Sequence, residues 1–235
     1  MKKKKLIIWG IVLLVIIGIC VGMYYNRNKN EFINRIFLTA YGVSSDVKKL
    51  ENQEIIKYAE KFNIPYNDSY QLDTAYSSFL TSLRKDTIFD DIIKNHYQPL
   101  QAMYFDKDGK LISYYINCYT DPGLFNLKWD INNSFAVFPP AHQDDLEPDT
   151  LFNYFKFNHL FKPLSEKESI DEKQYDNYVV VFWTAFLGRQ SKRLIDIVQK
   201  NRKLSTGNVK YFFVNVDNYF YYDVFKQGLS NQEEK

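Results

Sequence analysis

The sequence predicts an α/β protein that follows one membrane-spanning segment. Residues 6–25 carry no charge and have the length of about 20 residues that a helix needs to cross a bilayer. Two β-rich segments flank Asp108 and Gly109, a dipeptide that favours the tight turn of a hairpin. A strand, a helix and a second strand follow one another between residues 178 and 222, which predicts a parallel crossover.

The composition indicates a globular protein that does not bind nucleic acid. Aromatic residues make up 17 % of the 235 residues, enough for a well-buried core. The 30 basic and 28 acidic residues give a net charge of +2. Without Lys2–Lys5, 26 basic residues face the same 28 acidic ones, which leaves no basic excess for nucleic acid. Cys20 and Cys118 are the only cysteines, so we expect no disulfide framework, no cysteine-rich metal site and no cofactor.

The N-terminal residues predict where the protein resides. Lys2–Lys5 precede the apolar segment, so the N-terminus should stay in the cytoplasm and the rest of the chain should lie outside. We therefore expect a single-pass protein of the inner (cytoplasmic) membrane with a periplasmic domain, residues 1–30 forming the lysine cluster and anchor. A cleaved signal peptide is the alternative, although its apolar region would be shorter and would end in a small-x-small site.

The segment from the anchor to Cys118 alternates predicted strands and helices. Residues 51–64 predict a helix whose apolar face comprises Ile55, Ile56, Ala59 and Phe62. The other elements predicted here are a strand at 34–42, a short strand at 68–73, largely helical residues at 74–97 and the hairpin at 99–118.

The second half of the chain begins with an irregular excursion and ends in the crossover. Turn-forming residues fill 119–147, and residues 148–161 predict an amphipathic helix capped by Asp149 or Thr150. The charged residues 165–176 predict an exposed linker. The last elements are a strand at 178–183, a helix with Leu194, Ile197 and Val198 facing inward, and a strand at 208–219.

Two segments resemble each other and suggest an internal β-α-β repeat. Residues 36–50 and 181–194 both run from an aromatic-rich strand through Thr-Ala-aromatic into a polar turn and a basic pair before Leu. The predicted units are then 31–118, an inserted segment 119–177, and 178–235. The last unit either completes the first sheet, forms a second, truncated copy, or pairs with another chain, because alone it buries too little surface.

The stretch VVVFWTAFLGRQSKRL resembles the strand, active turn and helix of the thioredoxin-like superfamily, in the membrane-bound or periplasmic form seen in Bacteroidota. The resemblance implies a thioredoxin-like sheet with flanking helices, with Leu187 and Gln190 at the two cysteine positions of Cys-x-x-Cys. Aligning the earlier segment instead puts Gly42 and Ser45 there. The hairpin opened by Pro99 resembles the family's other hallmark, and Pro99 would be the cis proline that faces the active turn.

The missing cysteines determine the predicted function. Disulfide exchange needs a thiolate, and neither Leu187 nor Gln190 supplies one, so we expect a protein that is not an enzyme. We predict a non-catalytic binding or accessory module that holds an extended polypeptide, or a membrane-protein partner, by strand addition and aromatic packing. The candidate groove comprises Trp183, Phe186, Leu187, Arg189 and Gln190 together with Tyr97, Gln98 and Pro99.

Other interpretations remain open at this point. A one-cysteine thiol or peroxide-handling protein would use Cys118, although single cysteines are usually small buried hydrophobes. Arg189, Lys192 and Arg193 could bind an anion at the start of their helix, although such residues more often form a solvated basic face. A metal site at His142 lacks a second cluster of ligands. A purely structural role in a membrane complex and a homo-oligomer are further alternatives.

Overall fold

The computed structural model describes residues 38–44, 47–84, 90–123, 126–143, 151–165 and 175–222. The predicted membrane segment at 6–25 and most of the predicted charged linker lie outside these ranges. No helix within them is long and apolar enough to cross a membrane.

Helices and strands alternate along the described chain. The helices are α1 (Asn52–Lys61), α2 (Tyr76–Leu83), α3 (Asp90–Asn95), α4 (Tyr154–Phe157), α5 (Gly188–Arg202) and α6 (Asp217–Phe220). The strands are β1 (Ser69–Leu72), β2 (Gln101–Asp106), β3 (Leu111–Ile116), β4 (Asp121–Gly123), β5 (Asn126–Lys128), β6 (Phe161–Pro163), β7 (Asn177–Trp183) and β8 (Val209–Asn215). The class is α/β, as the sequence predicts.

A mixed six-stranded sheet forms the centre of the fold, in the order β3-β2-β7-β8-β1-β6. β7, β8 and β1 are parallel, whereas β2 is antiparallel to β7, β3 to β2, and β6 to β1. The predicted hairpin and the predicted parallel crossover are both confirmed. Because β7 and β8 lie between β2 and β1, the segment 178–222 completes the sheet that the earlier segment begins.

The two faces of the sheet carry separate apolar clusters under separate helices. Along β7, Tyr178, Val180 and Phe182 belong to one cluster, while Val179, Val181 and Trp183 belong to the other, because side chains alternate across a strand. Residues of α2, α3 and α4 cover the first cluster, and residues of α1 and α5 cover the second. The sheet is therefore packed between two helical layers.

Two elements differ from the sequence prediction. The predicted strand at 34–42 is helical at its described residues 38–41, and the next helix begins only at Asn52, so this part of the first copy does not match the strand of the second. The predicted helix at 148–161 is confined to α4, where the side chain of Asn153 accepts a hydrogen bond from the Phe155 N–H. Asp149 and Thr150, the predicted caps, lie outside the described residues.

Candidate functional site

The turn between β7 and α5, where the resemblance locates the redox cysteines, is held by side chains. Asp217, just after β8, accepts hydrogen bonds from the Ala185 N–H at 2.7 Å and from the Phe186 N–H at 3.3 Å. The hydroxyl of Thr184 accepts from the Leu187 N–H at 3.0 Å. These bonds satisfy three backbone donors of the turn that leads into α5 and fix its shape.

Asp217 is a buried carboxyl group with competing influences on its ionisation. Burial raises its pKa above the ordinary value of an aspartate, while the hydrogen bonds from Ala185, Asn215 and Phe186 oppose that rise. The Nδ2 of Asn215 donates to its Oδ2 at 2.6 Å. The carboxyl group therefore holds the turn without reaching solvent.

Gln190 stands at the second predicted cysteine position and joins three segments of the chain. Its Nε2 donates to the Tyr41 carbonyl at 2.6 Å, and its Oε1 accepts from the Leu127 N–H at 3.0 Å. The Phe186 carbonyl in the same turn accepts from the Ser44 N–H at 2.7 Å. The protein's own chain thus occupies part of the backbone to which an added peptide strand was expected to bind.

Three apolar residues of the predicted groove are partly or fully buried. Trp183 has no exposed side-chain area and packs edge-on against Phe62, with ring centroids 5.5 Å apart. Phe186 is partly buried and its ring lies 6.1 Å from that of Phe220. Leu187 packs against the second apolar cluster. The prediction that Trp183 forms part of a peptide-facing surface is wrong, because the odd positions of β7 point under α1 and α5.

The hairpin that follows Pro99 lies beside β7, but the details differ from the resemblance. Gln101 is opposite Phe182, so the start of β2 is near the end of β7. The cis bond found among the described residues is Phe138–Pro139, so Pro99 does not carry the predicted cis bond. The guanidinium carbon of Arg84 lies over the ring of Tyr97, 5.6 Å from the centroid of that ring.

Cys118 lies in the short turn after β3, beside the predicted proline region. It is exposed, and its Sγ donates to the Gln98 Oε1 at 3.0 Å. Partial burial raises the pKa of its thiol, and the charge of Lys94 only partly opposes this. A raised pKa reduces the thiolate fraction at neutral pH, which disfavours redox reactivity.

A groove of about 1150 Å³ runs along the outer face of α5. Its walls are α5, the C-terminal end of α1, and the segment 127–136, and we call it the basic groove. It brings together Arg189, Lys192 and Arg193, the cations that the sequence suggested for an anion site. Lys61, Lys128 and Lys200 also line it, opposite only two acidic residues, Asp130 and Asp196.

Both acidic groups of the basic groove are engaged locally. Asp196 pairs with Lys192 at 2.7 Å, and the Asp130 Oδ1 accepts from the Phe135 N–H at 3.1 Å. By contrast, the side chains of Lys61, Arg193 and Lys200 are exposed and have no hydrogen-bonding or ionic partner within the part of the chain that the structure describes. The potential in the groove is therefore positive.

Aromatic side chains form the inner surface of the basic groove. Phe62, Trp129 and Phe135 line it and are each at most 5 % exposed. The indole N–H of Trp129 has no acceptor among the described residues. The groove thus offers apolar area and cations.

Hydrogen bonds hold the walls of the basic groove to both ends of α5. Asn201 donates from Nδ2 to the carbonyls of Phe135, at 2.9 Å, and Val137, at 2.6 Å. The Gln199 Nε2 donates to the Asn63 carbonyl at 2.7 Å, just beyond α1. Together with the bond between Gln190 and Leu127, these contacts preform the groove.

Three of the six cations in this groove were not among the residues that the sequence suggested for an anion site: Lys61, Lys128 and Lys200. Lys200 follows Arg189 and Arg193 at helical spacing, so the periodicity of α5 could have revealed it. Lys61, Lys128 and Trp129 come from other segments, and no local pattern connects them with α5.

The histidines do not form a metal site in the structure. His142 lines a small separate pocket of about 170 Å³, and His96 is buried against Phe152 with ring centroids 3.6 Å apart. No group of three potential metal ligands occurs among the described residues.

Comparisons with protein-family models, curated proteins and solved structures return no match for this chain. What the site can bind or catalyse is therefore inferred from its own residues and their geometry. The turn at 184–190 contains no thiol, while the adjoining groove combines positive charge with apolar area. This arrangement can bind a ligand but has no group placed for disulfide exchange.

Proposed function

We propose that this protein is a membrane-anchored, redox-inactive accessory module that holds a polypeptide partner in the basic groove. The observation that carries the proposal is a preformed groove of about 1150 Å³ beside a turn whose two expected cysteine positions are Leu187 and Gln190. Concave sites that combine apolar area with a few placed polar groups are common ligand-binding sites.

A thioredoxin-like origin is part of the proposal. The antiparallel hairpin β2–β3 lies beside β7, and β7 leads through a tight turn into α5, which agrees with the resemblance. The chain order differs, because here the hairpin precedes the β-α-β unit, whereas it follows that unit in the family. The chain would then be a rearranged member whose C-terminal strands enter the middle of the sheet.

The residues at the turn support the proposed absence of redox catalysis. Leu187 has no ionisable group, and both functional groups of Gln190 are occupied by backbone partners. Cys118 carries a thiol, but its raised pKa and its place in the turn after β3 do not supply a pair of exchanging sulfurs. A one-cysteine peroxide-handling activity is consequently the weaker proposal.

The proposed location rests on the N-terminal sequence. The lysine cluster before the uncharged residues 6–25 favours a cytoplasmic N-terminus and a binding domain in the periplasm. An anchored groove would meet partners at or near the membrane surface, including segments of other membrane proteins.

Site-specific photo-crosslinking in cells tests the proposed binding role. A photoreactive residue at Lys61 or Lys200 reports on the basic groove, and one at Lys156, exposed on α4 across the sheet, is the matched control. We expect a discrete adduct from the groove positions only. The partner is then purified and must bind the wild-type chain more tightly than a groove variant. Equal adducts from both faces contradict the proposal.

A separate assay tests the redox part. The purified full-length chain is mixed with a fluorogenic disulfide substrate and a thiol reductant. We expect no acceleration over the reductant alone. Turnover that persists after Cys118→Ser would disprove the claim, since no other thiol occurs outside residues 1–30.

A further inference from the structure

We propose that the natural occupant of the basic groove is an acidic polypeptide segment with interspersed apolar residues. This inference rests on the proposed function and specifies its partner by chemistry. The six basic side chains of the lining face two acidic ones, and both acidic groups are already bonded to neighbours. Lys192 pairs with Asp196, and Lys128 pairs with Asp121 at 3.0 Å. An anionic occupant therefore meets above all Lys61, Arg193 and Lys200, whose side-chain charges no described residue compensates.

The distribution of the cations favours an extended ligand over a small anion. Arg189, Arg193 and Lys200 lie along one face of α5, and the first and last are eleven positions apart, or roughly 16 Å of helix at 1.5 Å per residue. Lys61 and Lys128 are on the opposite walls. A single phosphate or carboxylate would contact only part of this arrangement, whereas a chain with several carboxylates can meet all of it.

The apolar surface between the cations favours a polypeptide over an inorganic polyanion. Above the buried aromatic floor, the partly exposed side chains of Tyr58, Leu127 and Ile197 line the groove. Val137, 60 % exposed, continues this apolar area beyond Phe135 at the C-terminal end of α5. Leucine or aromatic side chains between acidic ones would bury this surface.

The shape of the site argues against a membrane surface as the ligand. The groove lies between two walls, α1 and the segment 127–136, and both are hydrogen-bonded to α5. A bilayer presents a flat array of headgroups, which would touch the rims and leave the aromatic inner surface unfilled. A linear chain fits between the walls.

Peptide binding to the full-length chain in mild detergent tests the inference. The probe is a fluorescent peptide in which Glu alternates with Leu, compared with the same peptide carrying Gln for Glu. We expect the Gln peptide to bind at least about tenfold more weakly. We also expect the affinity for the Glu peptide to fall as salt rises from about 0.05 to about 0.5 M.

Charge reversals locate the binding. We expect Lys61→Glu, Arg193→Glu and Lys200→Glu each to weaken binding of the Glu peptide by about threefold to tenfold. Lys107→Glu and Lys156→Glu, exposed on the β2–β3 turn and on α4, should bind like the wild type. The triple groove variant should instead prefer a peptide with Lys at the Glu positions. Thermal unfolding of every variant checks that each is folded.

Several outcomes would overturn the inference. These are equal binding of the Glu and Gln peptides, equal loss from groove and control variants, or tighter groove-dependent binding of polyphosphate or of phosphatidylserine vesicles. If the acidic peptide fails while the cellular adducts from Lys61 and Lys200 persist, the groove still binds a partner and only the acidic class is wrong. If the adducts fail as well, the proposed function fails too.

Discussion

The side-chain amide of Asn218 forms two hydrogen bonds with the backbone of Leu50. The Leu50 N–H donates to Oδ1 at 2.7 Å, and Nδ2 donates to the Leu50 carbonyl at 2.8 Å. Both residues are buried, and they are 168 positions apart in the chain. A side chain of α6 thus takes the place of a neighbouring strand for the segment that enters α1.

Loss of this pair should destabilise the whole domain. Asn218→Ala leaves both backbone groups of Leu50 buried without partners, and we expect the free energy of unfolding to fall by about 2–4 kcal/mol. Urea denaturation followed by circular dichroism measures the change. Asn52→Ala, at an exposed position, should change the stability by less than about 0.5 kcal/mol. Similar effects from both substitutions would show that the Leu50 contact is energetically unimportant.

Gln190 should contribute to the free energy of unfolding, which a side chain that merely remains from a lost active site would not do. Gln190→Ala removes the acceptor of the Leu127 N–H and the donor to the Tyr41 carbonyl, and we expect a loss of about 2–3 kcal/mol in the free energy of unfolding. Gln53→Ala, exposed on α1, is the matched control. If Gln190→Ala is as stable as the control, the side chain does not join the three segments energetically.

The buried Asp217 should give the stability a distinct pH dependence. Because burial raises its folded pKa above the unfolded value, its contribution is fully present below the unfolded pKa and is lost as pH rises through the folded pKa. Asp217→Asn lacks this titration. We therefore expect the free energy of unfolding of the wild type, relative to Asp217→Asn, to fall as pH rises from about 4 toward neutral. Urea denaturation at several pH values measures the difference, and a difference that rises with pH would contradict the assignment.

Gly42 should resist replacement because its backbone and its surroundings both require glycine. Its φ is +72°, and an added Cβ would lie 2.5 Å from the Cβ of Arg189. We expect Gly42→Ala to lower the free energy of unfolding by about 1–3 kcal/mol. Gly188→Ala is the matched control, because an added Cβ there lies 3.8 Å from Phe62 at the start of a helix. Equal thermal midpoints for the two variants would refute the argument.

Cys118 should react with alkylating reagents in the folded protein, because its side chain is exposed. Because the pKa is raised, we expect the labelling rate to increase with pH and to reach its plateau at a higher pH than for an ordinary exposed cysteine. Iodoacetamide labelling followed by mass spectrometry measures this profile. Labelling only after addition of denaturant, or a plateau already reached at neutral pH, would disagree with the structure.

The sequence predicts elements whose signals are local. The Asp108–Gly109 turn, the apolar face of α1 and the two aromatic-rich strands around α5 all depend on patterns within a few residues. The segment 34–42 was misread because a short aromatic run fits a strand as well as one face of a helix. The span of α4 was overestimated because the helix begins only at the Asn153 cap.

The arrangement of these elements is not visible in the sequence. Strand order depends on pairing between distant segments, such as Gln101 with Phe182, which leaves no local trace. The same reason explains why the whole candidate site could not be predicted from the sequence. Arg189 and Arg193 were identifiable on their helix, but Lys61 and Trp129 join them only after folding. Trp183 looked like a surface aromatic because its position at the end of β7 does not reveal which face of the sheet it occupies.

The position of β7 and β8 in the sheet has a consequence for synthesis on the ribosome. When the chain has been synthesised as far as residue 165, the residues of β1, β2, β3 and β6 have been made. The residues of β7 and β8, which separate β2 from β1 in the sheet, have not. The inner edges of β2 and β1 then await partners that emerge last. In a nascent or truncated chain that ends in the linker, the backbone N–H and C=O groups of these two strand edges would be unpaired and could pair with other chains. We therefore expect such fragments to bind chaperones or to be degraded.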